Sequence, residues 1–161
     1  ASAVLLASDE WAAARGLPVL AHVIDAEVGA VDFVSGADGL LTAPVFAVPR
    51  LLDRLGLTLQ DFDLYEIHEA FASVVLVTLA AWSDPRFASE RLGRDAPLGT
   101  IDRSRLNVAG SSLATGHPFA ATGGRIVATL AALLHERGGG RGLISVCAAG
   151  GQGVAMVLES P

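Results

Sequence analysis

The feature that most constrains the fold is a glycine-punctuated polar loop that runs directly into an amphipathic helix. The loop begins at Asn107 and reads Asn-Val-Ala-Gly-Ser-Ser-Leu-Ala-Thr-Gly-His-Pro. Pro118 suits the first position of a helix, where a missing amide donor costs nothing, so we predict a helix over 118–137. Apolar residues with helical spacing give this helix one core-facing side: Ile126, Val127, Leu130, Leu133 and Leu134.

His117 stands at the predicted start of this helix. It is preceded by Gly116, and a glycine backbone allows a ligand to approach closely. An imidazole in such a place is suited to act as a general base. The alternative is that His117 only caps the helix or satisfies a loop carbonyl.

Composition limits the kind of protein and its partners. The chain has 161 residues, enough for one domain, with 52% hydrophobic and 17% charged residues. This apolar balance suggests that another domain or subunit covers part of the surface. The net charge is −6 and the 11 basic residues are scattered arginines, so we expect no nucleic-acid partner. No apolar run is long enough for a transmembrane segment.

A single cysteine, Cys147, excludes an internal disulfide bond. A chain of this kind fits a reducing compartment, and we expect a cytoplasmic protein.

Hydrophobic patterns and turn signals predict alternating strands and helices. Strands are expected over 3–7, 18–28, 64–67, 143–149 and 154–159. Helices are expected over 9–15, 44–55, about twelve residues after Phe71, 85–92 and 118–137. This order predicts an α/β domain in which helices flank a mixed five-stranded sheet that ends in an antiparallel pair.

Three groups that can transfer protons fall near the carboxyl ends of predicted strands or at the loop. His68 follows one strand, Cys147 lies near the end of another, and His117 ends the loop. In open α/β sheets, ligands bind at the carboxyl ends of the strands. A thiol with two imidazoles is a set suited to acyl transfer, and we expect all three to face one cleft. The alternatives are a helix cap for His68 and a small buried hydrophobe for Cys147.

Three motifs, in the same order along the chain, resemble the C-terminal half of the thiolases. They are His68-Glu-Ala-Phe71, Gly116-His-Pro118 and Cys147-Ala-Ala-Gly-Gly-Gln-Gly153. Histidine replaces the first residue of the family's Asn-Glu-Ala-Phe motif, as in long-chain 3-ketoacyl-CoA thiolases, including β-subunits of fatty-acid oxidation complexes. The resemblance implies a thiolase-like layered fold. Residues 1–17 would end the N-terminal half and form a connecting helix, and residues 18–161 would form the C-terminal domain.

The resemblance also implies roles for individual residues. His117 would activate the nucleophilic cysteine and help to hold the thioester oxyanion, and Cys147 would be the acid–base cysteine. His68 would replace the asparagine that orders a water in one oxyanion hole. The backbone N–H of Ala149 would belong to a second oxyanion hole. The substrate-binding positions would be Ala70, Phe71 and Gly116.

The nucleophilic cysteine of thiolases lies in their N-terminal half, whereas Cys147 matches the other cysteine. The resemblance therefore implies that this chain is inactive alone and needs an N-terminal thiolase half. The complete protein would cleave 3-ketoacyl-CoA with CoA through an acyl-cysteine intermediate. CoA would be a co-substrate, with no metal and no bound cofactor. A homodimer or homotetramer is expected, with the α-subunit of a fatty-acid oxidation complex as a further candidate partner.

Two other functions remain open. A β-ketoacyl synthase-like condensing enzyme uses one cysteine and two histidines, which His68 and His117 would match. Cys147 on the hairpin argues against this function, because such synthases need no second cysteine there. A non-catalytic binding domain could keep the fold, although the complete set of motifs argues against it.

Overall fold

The computed structural model describes residues 1–36 and 38–161, which form a mixed sheet with helices on both faces. The strands are β1 (His22–Ala30), β2 (Leu64–Ile67), β3 (Gly140–Ala148) and β4 (Gln152–Ser160). The helices are α1 (Asp9–Ala13), α2 (Ala43–Leu55), α3 (Ala72–Ser83), α4 (Pro85–Arg91), α5 (Ser112–Thr115) and α6 (Thr122–Glu136), with a 3₁₀ turn at Arg103–Arg105.

The strand order within the sheet is β1-β4-β3-β2. β4 is antiparallel to both β1 and β3, whereas β2 is parallel to β3, with Ile67 opposite Ser145. Because β2 and β3 are parallel, their carboxyl ends lie at the same edge of the sheet. The loop that connects Leu106 to α6 passes over this edge.

Each face of the sheet has its own hydrophobic core. The core under α2 and α3 includes Val48, Leu51, Trp82, Leu143 and Val157. The core under α6 includes Ile126, Leu130, Leu134, Ile144 and Leu158. The helical spacing of the apolar residues in α6 therefore predicted its buried side.

The prediction of five strands is wrong for the described residues, which contain four. The segment over 3–7 forms no strand, because no other described strand pairs with it, and Leu5 and Leu6 are 71% and 73% exposed. β1 begins at His22 rather than at residue 18. β3 begins at Gly140 rather than at residue 143, because its antiparallel pairing with β4 continues to the Gly140–Ser160 pair; the Arg141 side chain also binds Glu159 across the two strands (2.6 and 2.8 Å).

The predicted start of the long helix is also wrong. α6 begins at Thr122, because Ala120 adopts a left-handed conformation (φ 66°) that interrupts the helix after Pro118. His117 therefore lies within the loop rather than at the mouth of the helix. The short helix α5 was not expected, since four residues are too few to show a period.

Candidate active site

Asn107 binds the loop to the end of β2 through hydrogen bonds. Its backbone N–H donates to the carbonyl of Tyr65 (2.8 Å). Its side-chain amide accepts from the N–H of Ile67 and donates to the carbonyl of Ile67, both at 2.9 Å. Asn107 adopts a left-handed conformation (φ 49°), which asparagine tolerates better than most residues. The amide thus pairs with β2 as the backbone of a further strand would.

Glu69 provides a second attachment for the same loop. One carboxylate oxygen accepts from the Asn107 amide and the other accepts from the N–H of Leu113 in α5, both at 3.0 Å. Bonds to an ionised carboxylate are stronger than those between neutral groups. The carboxylate therefore holds both the start of the loop and α5 at the carboxyl end of β2.

The two candidate imidazoles lie side by side at this edge. The ring centroids of His68 and His117 are 4.4 Å apart, with an angle of 49° between the planes. His68 is 1% exposed, and its backbone N–H donates to the carbonyl of Ser145 (2.8 Å). His117 is exposed and makes an edge contact with the ring of Phe119. The loop therefore brings together two histidines that are far apart in sequence.

His68 is held in its neutral form. Burial lowers the pKa of His68 to about 4, the neighbouring His117 and Arg125 act in the same direction, and Glu69 opposes them. Nδ1 lies 2.9 Å from Oγ of Ser112. Among the described residues, Nε2 has no hydrogen-bond partner. One ring nitrogen of a neutral imidazole is thus available to a ligand.

His117 has a different partner. Its Nδ1 lies 2.6 Å from Oγ1 of Thr122, whose hydroxyl can donate to the carbonyl of Pro118 (3.4 Å). When the Thr122 proton points to Pro118, Nδ1–H donates to Thr122 and Nε2 keeps its lone pair. An exposed imidazole in this tautomer can accept a proton from a neighbouring group.

Cys147 occupies the end of β3, opposite Gly153 of β4. It is 6% exposed, and burial raises the pKa of its thiol. A side chain at Gly153 would meet Pro44 of α2, and cross-strand partners share a face, so Cys147 lies on the α2 face of the sheet. His68 lies on the opposite face, near Arg125 of α6. This placement differs from the expectation that all three groups face one cleft, because a ligand must cross the strand ends to reach both Cys147 and His68.

Within the described ranges, no hydrogen bond joins the Cys147 thiol to either imidazole, although all three groups lie near one edge.

Ala149 is exposed in the turn between β3 and β4, and Ala70 is half-buried. Phe71 is 62% exposed, immediately before α3. Gly116 is exposed with φ 89°, a conformation that disfavours any other residue.

Sequence reasoning missed the residues that support the two histidines. Ser112, Thr122 and Arg125 are three of them, and the motifs implied no role for any of the three. Sequence reasoning also missed a buried titratable residue, Glu66: it is 1% exposed, and burial raises its pKa to about 7, with Glu69 adding to the effect and Arg125 opposing it. Alternation along β2 places Glu66 and His68 on one face, which was a signal available in the sequence.

The described residues contain no cluster of three or more histidine, cysteine or acidic side chains arranged to hold a metal ion. In the same part of the chain, no helix has the length and hydropathy needed to cross a membrane.

A comparison with protein families identifies the domain. The family model described as "Thiolase, C-terminal domain" matches residues 17–160.

The chain belongs to the thiolase family.

A curated relative, the 3-ketoacyl-CoA thiolase of Yersinia pestis (strain Pestoides F), is 45% identical over 159 residues, which cover 99% of this chain and 36% of that thiolase. The crystal structure of the Acat5 thiolase from Ascaris suum in complex with coenzyme A matches with a TM-score of 0.73 and 30% identity. It covers 96% of this chain and 35% of that one. The Bacillus anthracis acetyl-CoA acetyltransferase matches with a TM-score of 0.71 and 34% identity, covering 96% and 34%.

These comparisons confirm the thiolase-like layered α/β fold that the motifs implied, with four strands in place of five. The chain spans 36% of the length of the 3-ketoacyl-CoA thiolases that it matches.

Proposed function

We propose that the complete protein is a 3-ketoacyl-CoA thiolase and that this domain supplies its acid–base groups. The observation that carries the proposal is the pair of imidazoles, 4.4 Å apart, at the sheet edge where the Cys147 strand also ends. The similarity to 3-ketoacyl-CoA thiolases over 99% of the chain supports the same reaction class.

In the first half-reaction, Nε2 of His117 takes the proton of a cysteine thiol supplied by an N-terminal thiolase half. The thiolate attacks the 3-keto carbon, and collapse of the alkoxide breaks the C2–C3 bond. The acyl group stays on the cysteine as a thioester, and the enolate of acetyl-CoA takes a proton from Cys147. Burial raises the pKa of the Cys147 thiol, which keeps it protonated before this step but opposes formation of the thiolate that the step leaves behind.

In the second half-reaction, the Cys147 thiolate takes the proton of the CoA thiol. The CoA thiolate attacks the acyl-cysteine, the shortened acyl-CoA leaves, and the nucleophilic cysteine regains its proton from His117. During both halves, His68 and His117 would hold the thioester oxygen, and the N–H of Ala149 would serve the tetrahedral intermediate. Ala70, Phe71 and Gly116 would contact the substrate.

The proposal extends to partners and location. Coenzyme A is bound in the crystal structure of the Ascaris suum thiolase, which supports CoA as a co-substrate here. The exposed apolar residues Leu5, Leu6 and Phe119 suit cover by an N-terminal half. The complete protein would act as a homodimer or homotetramer in cytoplasmic fatty-acid β-oxidation, with or without the α-subunit of a fatty-acid oxidation complex.

The test uses the complete protein. His117→Ala and Cys147→Ala should each lower the kcat of thiolysis by about 10²–10⁴-fold, the range typical of lost acid–base groups. His135→Ala is the matched control, because His135 is exposed in the last turn of α6 and should leave kcat unchanged. Near-normal thiolysis in either site variant would refute the assigned role.

The paired imidazoles also favour a second candidate, a β-ketoacyl synthase-like condensing enzyme. Decarboxylation of a malonyl thioester by the complete protein, without thiolysis, would decide for this candidate. Thiolysis that is lost in Cys147→Ala would decide against it.

A further inference from the structure

Ser112 links an arginine to one of the two imidazoles. Its Oγ lies 3.2 Å from Nη2 of Arg125 and 2.9 Å from Nδ1 of His68. Ser112 is 6% exposed and His68 is 1% exposed, so water does not readily replace these contacts. The three side chains come from α5, α6 and the end of β2.

The chemistry of the three groups gives the chain of hydrogen bonds a direction. A guanidinium only donates, so the Ser112 oxygen accepts from Arg125. The Ser112 hydroxyl still has one proton, and among the described residues Nδ1 of His68 is the only acceptor that the structure places within reach of it. If Nδ1 carried a proton instead, the hydroxyl proton would remain buried without an acceptor, which is unfavourable.

We propose that Arg125 and Ser112 act as positioning residues that fix the tautomer of His68, with Nδ1 as acceptor and the proton on Nε2. Nε2 is the ring nitrogen without a partner among the described residues. His68 then presents an N–H donor to a ligand atom. This inference rests on the proposed thiolase function for its use, since an N–H donor is what a thioester oxyanion requires.

The neighbouring imidazole, that of His117, would carry its proton on the other ring nitrogen, Nδ1. The Thr122 hydroxyl can donate a hydrogen bond to the carbonyl of Pro118, so that His117 donates through Nδ1 and keeps a lone pair on Nε2. Two rings 4.4 Å apart would thus present a donor to a ligand oxygen and an acceptor to the nucleophilic thiol of the proposed function. A fixed donor beside a proton acceptor explains how similar side chains can have different roles.

The experiment measures the protonated nitrogen directly. The complete protein is labelled with ¹⁵N-histidine, and long-range ¹H–¹⁵N spectra report the tautomer of each ring. His68→Asn, which restores the usual residue of the family's motif, identifies the His68 signals by their loss. Wild-type His68 should carry its proton on Nε2. A proton on Nδ1 in the wild-type protein would overturn the proposal without any variant having to fold.

Ser112→Ala tests the positioning role. The His68 proton should then divide between the two nitrogens, and kcat should fall about tenfold with little change in KM, less than the 10²–10³-fold typical of a deleted oxyanion donor. Ser111→Ala is the matched control: Ser111 is also buried and also accepts from Arg125, but it does not contact His68. An unchanged His68 spectrum in Ser112→Ala would overturn the role of Ser112.

The spectra do not depend on turnover, so the two proposals can fail separately. Absence of thiolysis with the expected Nε2–H tautomer would refute the proposed function alone. Normal thiolysis with a proton on Nδ1 would refute the inference alone.

Discussion

The pKa values of Glu66, on β2, and His68, which directly follows β2, respond to burial in opposite directions. Burial raises the pKa of Glu66 to about 7 and lowers the pKa of His68 to about 4. In both cases the uncharged form is favoured, because a charge loses its hydration in the interior. Each group therefore couples the free energy of unfolding to pH, but over a different range and with a different sign.

Glu66→Gln isolates the contribution of the carboxyl group. One part of the unfolding free energy depends on Glu66 being protonated in the folded state. This part is fully present below the ordinary pKa of 4.5 and is lost as pH rises through about 7. From pH 5 to pH 8, the wild-type protein should therefore lose roughly 2–3 kcal/mol of unfolding free energy relative to Glu66→Gln. Urea unfolding of both proteins at the two pH values measures this difference.

Comparing the unfolding free energy at the two pH values within each protein cancels any pH-independent effect of the glutamine. The His68 contribution has the opposite sign: it is present above about pH 6.5 and is lost as pH falls through about 4, and it is common to both proteins. Equal pH dependence in the two proteins would show that Glu66 is not shifted.

Thr122→Val removes only the hydroxyl that contacts Nδ1 of His117. We expect kcat for thiolysis to fall by about 10–100-fold, the effect typical of a lost partner that orients a histidine. Thr78→Val is the control, since Thr78 is a similarly buried helical threonine whose hydroxyl bonds only to the carbonyl of Val74. Equal kcat in both variants, measured by loss of the 3-ketoacyl-CoA substrate, would contradict the orienting role.

Among the structural elements, the loop over 107–121 depends on Asn107 for its position. The side chain makes three hydrogen bonds, two to Ile67 and one to Glu69. The residue also has a positive φ, which limits the choice of replacements. Hydrogen bonding and conformation can be separated by two substitutions.

Asn107→Ala should destabilise the protein by about 2–4 kcal/mol, because it removes these bonds and strains the backbone. Asn107→Gly should lose the same bonds but recover about 1 kcal/mol, since glycine adopts a positive φ without strain. Urea unfolding gives both values. If glycine proved no better than alanine, the left-handed conformation would not matter to stability.

Elements with clear boundaries in sequence were predicted well. β2 occupies residues 64–67 as expected, and α4 begins at Pro85 after the N-cap Asp84. The start of α6 was missed because Ala120 carries no signal for a left-handed conformation. The strand over 3–7 was wrong because an apolar run does not reveal whether a pairing partner exists.

At the scale of the whole molecule, large apolar side chains remain exposed around the loop and the first residues. Phe119 is 87% exposed, Leu6 73%, Leu5 71% and Leu113 61%. Contiguous exposed apolar surface marks an interaction site more often than a free surface. This pattern agrees with the apolar composition and with a proposed N-terminal half.

We therefore expect the 161-residue chain alone to show no thiolysis, because the proposed function assigns its only cysteine the acid–base role and not that of the nucleophile. It should also bind the hydrophobic dye ANS more strongly per molecule than the complete protein does. Thiolysis assays and ANS fluorescence at matched concentrations test both points. Turnover by the chain alone would place the nucleophile on Cys147 and contradict the proposed mechanism.

The motifs predicted which side chains to inspect, but not how they are held. His68, His117 and Cys147 lie in recognisable local sequences. Ser112, which supports His68, lies 44 positions away from it in sequence, and Arg125 contacts Ser112 from another helix. Such contacts depend on the packing of α5 and α6, which a single sequence does not reveal.

β2 is an outermost strand, and exposed strand edges can recruit other chains into intermolecular sheets. The outward-facing groups at its end are the carbonyl of Tyr65 and the N–H and carbonyl of Ile67, and Asn107 occupies all three. The loop that carries His117 therefore also covers this edge of the sheet against pairing with another chain. Selection for solubility and selection for catalysis would then act on the same asparagine.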